Sequence, residues 1–397
     1  FWQPIKPVIS NLKIRGSWGL VGNDATNAGR FAYMEDLVLG GSDSYTTGIR
    51  QDTYYSGPSW NRYFNPDLTW EVGEKINLGL DLQLFNDFNL TFDIFREKRR
   101  DIFMTRENSI PEIVGTGETK ITSNNGEMEN KGLDLAIDYN KQITKDFFLS
   151  FKSTLTFARN KVLKMDEPPY FEYPGLSDVG HPLGTYWGYV ADGLFPDQET
   201  IDNSPRQDLG YTPQPGDIKY VNQPNAKGEY DNVINSNDRV AIGHPYDPEL
   251  VYGFGPSMKW KNWDFSFFFQ GVARTSFMMY GMHPFGTTSI KNMLQFVADD
   301  HWSVDNPNPN AAYPRLTKDS NGNNDQYSTY WLRNAAFLKL KNAEIGYTYK
   351  GMRFYLSGVN LLTFSPFKHW DPEMGGGNGL YYPTQRVFNI GFQMTIQ

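Results

Sequence analysis

The histidines come first in any search for chemistry. His181, His244, His283, His301 and His369 are scattered, and no two stand four residues apart as a zinc-protease pair would. Asp299 and Asp300 beside His301 have the residue types of a charge relay, but no nucleophile accompanies them, so a surface histidine is the preferred reading. No glycine-rich loop follows a strand and opens a helix to cradle a phosphate; Gly253, Gly255 and Gly375 to Gly377 read as strand and loop glycines. Carboxylates are plentiful, yet spacing alone pairs none of them for glycoside hydrolysis. Cysteine is absent, which excludes disulfides, thiolate metal sites and cysteine nucleophiles. These residues predict no catalysis.

Binding has more support. Tyr54, Tyr55, Trp60, Trp370, Tyr381 and Tyr382 fall in segments without a sustained period, where flat rings could stack on a sugar or grip a peptide side chain and keep a polar edge for hydrogen bonds. Packing within the loops is their competing role. Trp187 and Trp302 are assigned to loop structure. The net charge of -8 argues against a nucleic-acid partner.

The elements that position these residues are strands. In Glu74 to Glu97, Ile76, Leu78, Leu80, Leu82 and Leu84 share one parity while Asn77, Gly79, Asp81 and Gln83 share the other. After Asn86 and Asp87, Phe88, Leu90, Phe92 and Ile94 oppose Asn89, Thr91 and Asp93. That is a hairpin with one apolar face. The pattern recurs from Asn11 to Asn23, from Leu133 to Phe157 with a joint at Lys141 to Asp146, from Leu250 to Val272, from Phe337 to Asn360 and from Val387 to Ile396. Phe268 breaks the polar side of its strand. Between Phe337 and Tyr349 the apolar parity switches, and a bulge near Asn342 would reconcile it.

Ten strands result, with too many apolar faces for one core. Short turns alternate with long excursions, and aromatics make up 16% of a chain whose mean hydropathy is -0.56. No run of about 18 apolar residues offers a membrane helix. The reading is therefore all-β: about ten strands of a large antiparallel transmembrane barrel, apolar side chains toward lipid and polar ones toward the lumen. Lumen-facing Asp81, Asp93, Asp134 and Asp138 give the interior a negative cast. The excursions are Gly22 to Thr69, a polar loop at Lys98 to Glu129, Arg159 to Glu249, Ala273 to Ala336, and Leu361 to Arg386 with Gly375 to Gly377 at its tip. The 159–249 excursion is too long to be a bare loop and must fold on itself. The 273–336 excursion is expected to hold one helix, Ser289 to His301, with Ser289 as cap and Ile290, Met293, Leu294 and Val297 as its packed stripe.

Eight collinear stretches now carry a resemblance: LKIRGSWGLVGN (12–23), NKGLDLAIDY (130–139), PGDIKY (215–220), NDRVAIGHP (237–245), YGFG (252–255), FSFFFQG (265–271), NPNPNAAYPRL (306–316) and YWLRNAAFLKLKNAEIGYTY (330–349). Together they resemble the C-terminal part of the SusC/RagA family of TonB-linked outer-membrane proteins of the Bacteroidetes. The resemblance implies that residues 1–397 are the second part of one large barrel, with a plug, a TonB box and the first strands outside the chain. It implies an outer-membrane location with long loops extracellular and short turns periplasmic, energy from TonB, and a SusD-like surface lipoprotein over the loops. Active import of a nutrient follows, oligosaccharide ahead of peptide, with a dimer of transporter–lipoprotein pairs as an expected assembly. It implies no cofactor beyond a structural calcium ion on the oxygens of Asn222, Asp231, Asn235 and Asp238, for which a solvated turn is the other reading. The chain ends in Ile396 and Gln397, not in the terminal aromatic expected of an outer-membrane assembly signal.

Two other classes stay open on the residues alone. One is a self-contained ten-strand barrel with an enzymatic or adhesive outer rim, and the other is a soluble aromatic-rich binding module. A heat-modifiable gel shift of this chain alone in detergent would favour the former; solubility without detergent would favour the latter.

Overall fold

The computed structural model describes residues 3–25, 30–40, 44–106, 108, 110–111, 113, 121–280, 285–286, 289–290, 294–317 and 320–394. One ten-stranded antiparallel sheet runs through it, each strand paired with its neighbours in sequence. The strands are β1 (Ile9–Asn23), β2 (Glu71–Leu84), β3 (Phe88–Thr105), β4 (Thr122–Thr144), β5 (Phe147–Lys164), β6 (Leu250–Trp260), β7 (Trp263–Ala273), β8 (Phe337–Tyr349), β9 (Met352–Phe364) and β10 (Val387–Met394). As expected from sequence, tight turns alternate with long connections. The turns lie at 85–87, 145–146, 261–262 and 350–351, the connections at 24–70, 106–121, 165–249, 274–336 and 365–386.

Alternation along each strand makes the sheet two-faced. Leu78 is 51% exposed and Phe267 37%, Phe92 and Leu135 are half-buried, and none of the four joins the buried core. Ile14, Trp18, Ile76, Ile94, Leu356, Ile390 and Phe392 are likewise open to the surroundings. Such an apolar face suits hydrocarbon, where a sheet has the further merit of satisfying backbone N–H and C=O groups sideways.

The short turns stitch the strands together at one rim. Lys350 and Gly351 both take positive φ, 49° and 79°, as a two-residue hairpin turn requires. Lys261 N–H donates to the Asp146 carbonyl at 2.8 Å, and Thr348 N–H to that of Asn262 at 2.8 Å, so each turn holds its neighbour. Trp263 packs on Tyr347 here, centroids 4.8 Å apart, as part of an interfacial aromatic band.

The bulge in β8 is present. Registers shift between Leu340 and Asn342 against β9 and at the same level against β7, which returns Ala343, Ile345 and Tyr347 to the apolar face. Phe268 has a reason to sit on the polar side. Its ring covers Gly253 of β6, where a Cβ would stand 2.8 Å from Phe268 Cζ.

Two expectations are corrected. Half of the polar segment Lys98 to Glu129 is ladder, because β3 continues to Thr105 and β4 begins at Thr122. Beyond the membrane both faces of a strand meet water and alternation disappears, while cross-strand pairs such as Arg96–Glu129 at 2.6 Å and Lys98–Glu127 at 2.9 Å hold the register. The helix is only Gln295–Asp299; Ser289 and Ile290 form a short strand, Leu294 is the N-cap, and Met293 lies outside the described residues. A stripe at i, i+3, i+4 and i+7 reports burial, which Val297 has, without fixing the helix start. The triple glycine lies mid-way along the last connection, as expected, and is packed. Gly376 lies so close to the Met278 backbone that a Cβ would stand 3.2 Å from Met278 N.

The hydrophobic core lies in the connections, not under the sheet. Tyr189, Leu194, Ile218, Tyr220 and Ile234 from 165–249 meet Phe277, Met279, Val297, Tyr313 and Trp331 from 274–336 and Phe367 from 365–386. The long loops thus fold into one cap of their own. Placing an arginine at Leu78, mid-strand on the apolar face, should cost about 2–4 kcal/mol in lipid, whereas Asn77→Arg on the polar face should cost little. Urea unfolding in phospholipid vesicles reads the difference.

Candidate functional site

The polar face of the sheet is cross-bridged. Arg15 of β1 reaches over Gly79 of β2 to both Asp81, Nε to Oδ2 at 2.9 Å, and Asp93 of β3, Nη2 to Oδ2 at 2.8 Å. Gly79 makes this possible, since a Cβ there would stand 2.7 Å from the guanidinium carbon. The device recurs at the far side, where Arg353 of β9 passes over Gly346 to Asp264 of β7 and Glu344 of β8. The negative cast expected from Asp81 and Asp93 is therefore offset by Arg15. Periodicity could place these carboxylates on one face but could not show which cation crosses to them.

Above the wall, the cap is organised around a buried carboxylate. Asp217, fully buried, accepts from Arg315 Nε at 2.7 Å, Asn321 Nδ2 at 3.0 Å, Asn324 Nδ2 at 2.9 Å and the Gln214 N–H at 2.8 Å. Asn324 Oδ1 accepts the Ile218 N–H, Asn323 Nδ2 donates to the Ile218 carbonyl, and Gln207 Oε1 takes the Tyr220 N–H. Trp331 Nε1 donates to the Asn324 carbonyl at 2.7 Å. A carboxylate out of water is tolerable only when paired and fully hydrogen-bonded. Three of the motifs, PGDIKY, NPNPNAAYPRL and YWLRN, meet at this knot. The Asn321–Asn324 run that joins them was not singled out from sequence; its clustered asparagines were the available signal.

The last connection is tied to the wall by Lys339. Its ammonium, fully buried, bonds Asp371 at 2.6 Å and Glu373 at 2.5 Å, and Lys341 adds a contact to Glu373 at 2.8 Å. Asp371 also accepts from Thr384 Oγ1. Burial works to raise both carboxyls, but the lysines outweigh it and hold them below their ordinary values. Where wall and cap meet, a cavity of about 550 Å³ is lined by Glu71, Glu97, Arg99, Asn130, Asp247 and Glu249.

The candidate aromatics do not form one site. Tyr54 and Tyr55 lie on the exposed strand Thr53–Ser56, with Tyr55 stacked on Tyr45 at 5.1 Å, and Trp60 lies on Ser59–Arg62, stacked on Tyr63 at 5.5 Å. Trp370 packs on Phe367 at 4.6 Å and donates its N–H to the Gly375 carbonyl at 2.9 Å, which commits the ring to the cap. Tyr381 lies with Tyr280 against Gly377. Tyr382 is 80% exposed and accepts from Gln385 Nε2 at 2.9 Å. Trp187 donates to Asp178 and Trp302 is buried, both in loop structure. His301 Nδ1 sits 2.9 Å from the Ala298 carbonyl.

Of the oxygens considered for calcium, those of Asp231, Asn235 and Asp238 are turn acceptors. Asp238 accepts the N–H groups of Gln223 at 2.7 Å and Asn235 at 2.8 Å, Asn235 accepts from Asn237, and Asp231 accepts from Val233. Asn235 and Asp238 form a capping box over Ser236–Asp238. Asn222 is buried with its amide unpartnered. Among the described residues no three acidic or histidine side chains gather for a metal. Asp231, Asn235 and Asp238 thus shape a capped turn.

A family model described as TonB dependent receptor-like, beta-barrel, matches residues 10–361. The chain belongs to that family. It is 28% identical to the TonB-dependent receptor SusC of Bacteroides thetaiotaomicron, over 98% of this chain and 38% of that protein. It is 28% identical to TonB-dependent receptor P26 of Formosa agariphila, over 97% of this chain and 40% of that one. The fold is similar to that of the RagAB peptide importer in its open-open state, with a TM-score of 0.73 at 20% identity, covering 98% of this chain and 40% of that one. The SusC/RagA resemblance carried by the motifs is thereby shown. The chain spans less than half the length of these relatives.

For this TonB-dependent receptor barrel, Asp217→Ala strands Arg315 and three amides, and should weaken the cap by about 3–5 kcal/mol as loss of one partner of a buried pair does. Hydrogen exchange across 206–220 and 311–332 measures it. The Lys339 anchor has a sign. Carboxyls held below their ordinary 3.8 and 4.5 contribute stability that is complete above those values and lost as pH falls through the depressed ones. Exchange in 365–386 should rise with acid below that range, and Lys339→Met should already show the raised exchange at neutral pH.

Proposed function

We propose that the chain supplies a large part of the wall, and the surface cap, of an outer-membrane importer of SusC/RagA type that is driven through TonB. The observation that carries this reading is the division of labour in the fold. The sheet keeps its apolar residues facing outward and contributes almost nothing to the buried core, while the long connections build a core of their own above one rim. A wall with a folded cap can admit a cargo from one side and hold it there. The long loops are extracellular and the short turns periplasmic in this reading, and a SusD-like lipoprotein covers the cap, two such pairs forming the dimer.

Oligosaccharide is the favoured cargo, as the SusC/RagA resemblance of the motifs implies, and exposed tyrosine rings that offer both a flat face and a hydroxyl support it. Peptide is the second reading, and the fold likeness to a peptide importer is what favours it. No covalent chemistry is assigned to the chain. Gating is a two-state matter in which cap and plug change position.

The test is made on the full-length protein in its native membrane. Uptake of labelled oligosaccharide should fall to background when the TonB energy supply is removed, and a surface lipoprotein should co-purify in a one-to-one ratio, identified by mass spectrometry. Uptake that persists without TonB sinks the importer; uptake of peptide in place of glycan moves the cargo and leaves the machine.

A further inference from the structure

Five tyrosines from three connections line one small cavity of the cap. Tyr186 comes from the strand Tyr186–Gly188, Tyr246 from the approach to β6, Tyr280 from just after Ser276–Met278, Tyr327 from the approach to β8, and Tyr381 from the last connection. Met278, Met374, Gly375 and Gly376 complete a lining that holds no charged side chain, around a volume of about 200 Å³.

The backbone beneath these rings is pinned. Gly377 N–H donates to the Met278 carbonyl at 2.8 Å and Tyr280 N–H to the Gly377 carbonyl at 3.1 Å, so the glycine run lies directly against 278–280. Gly377 takes φ +92°, which lets the chain turn there. The Tyr246 carbonyl accepts from Thr275 Oγ1 at 2.7 Å, and the Tyr327 carbonyl accepts the Tyr189 N–H at 2.8 Å. The rings themselves are not covered. Tyr246, Tyr280, Tyr327 and Tyr381 are each close to half exposed, and Tyr186 is half-buried below them.

Fixed backbone under open rings is a preorganised surface, and its chemistry selects a ligand. Ring faces take C–H surface, and protonated phenols both donate and accept hydrogen bonds. No lining group neutralises an ion. The volume is below the roughly 300–1,000 Å³ of a pocket for a drug-sized ligand, so it holds one ring of a longer molecule.

We propose that Tyr186, Tyr246, Tyr280, Tyr327 and Tyr381 form a subsite for a single sugar ring of an uncharged oligosaccharide. This rests on the import reading above and sharpens it, since a neutral glycan would be recognised by the cap itself. Tyr280 and Tyr381, side by side over Gly377, bring two hydroxyls to the same hollow. Tyr381 was legible as a binding candidate; its four companions were not, being scattered through two other connections.

Isothermal titration of the full-length transporter in detergent tests it, with maltoheptaose, cellohexaose and mannohexaose as probes and choline and a mixed hexapeptide pool as controls. At least one glycan should bind. Tyr381→Ala should weaken it tenfold or more. The double variant Tyr327→Phe, Tyr381→Phe keeps the rings, guards against a folding artefact, and should weaken binding about three- to tenfold for two lost hydrogen bonds. The proposal is overturned if none of the glycans binds, if both variants bind within twofold of the parent, or if choline or peptide binds instead and is lost in the variants. Failure here with TonB-dependent uptake intact removes the subsite alone, whereas loss of TonB dependence with the subsite still binding removes the import reading alone.

Discussion

A backbone in hydrocarbon must find its hydrogen-bond partners within the protein, and the eight inner strands of the sheet do so by pairing on both sides with their sequence neighbours, while among the described residues β1 and β10 pair on one side. Everything else in the molecule follows from that. Once the ladder is satisfied sideways, side chains need not pack beneath it, and the apolar residues are free to face outward. Glycines on the polar face become bridging points, because without a Cβ they let Arg15 and Arg353 cross one strand to reach carboxylates on others. These bridges brace the wall between strands that lie far apart in sequence.

The cap obeys a different rule. It is surrounded by water and behaves as a small globular domain, with an aromatic core and a satisfied polar centre. Asp217 is the residue on which its segments converge, taking donors from 315, 321 and 324, more than ninety residues away in sequence. A buried ion with so many donors defines one arrangement of the loops, because any other leaves charge or amides unpaired. Lys339 does the same between cap and wall. Its position just before the β8 bulge puts it on the polar face at the level of the last connection.

The two regimes meet at a cavity where Glu71, Arg99 and Glu249 stand among apolar side chains such as Ile102, Met128 and Leu183, while the tyrosine-lined cavity in the cap holds no charged side chain. In the proposed import reading, the wall would supply a route and the cap the surfaces that meet cargo.

Sequence by itself determined the strand count, the two faces, the tight turns and the bulge in β8, because each is a local consequence of period-two side-chain geometry and turn chemistry. It also carried the family, through short motifs in a fixed order. It misplaced the ends of β3 and β4, where water on both sides erases alternation, and lengthened the helix at Gln295–Asp299, whose stripe reported burial and not helix length. Only the tertiary structure decided that Asp217 meets Arg315, that Trp370 is committed to packing, and that five tyrosines share one hollow. Those facts depend on which distant loops touch, and loop contacts have no period to read.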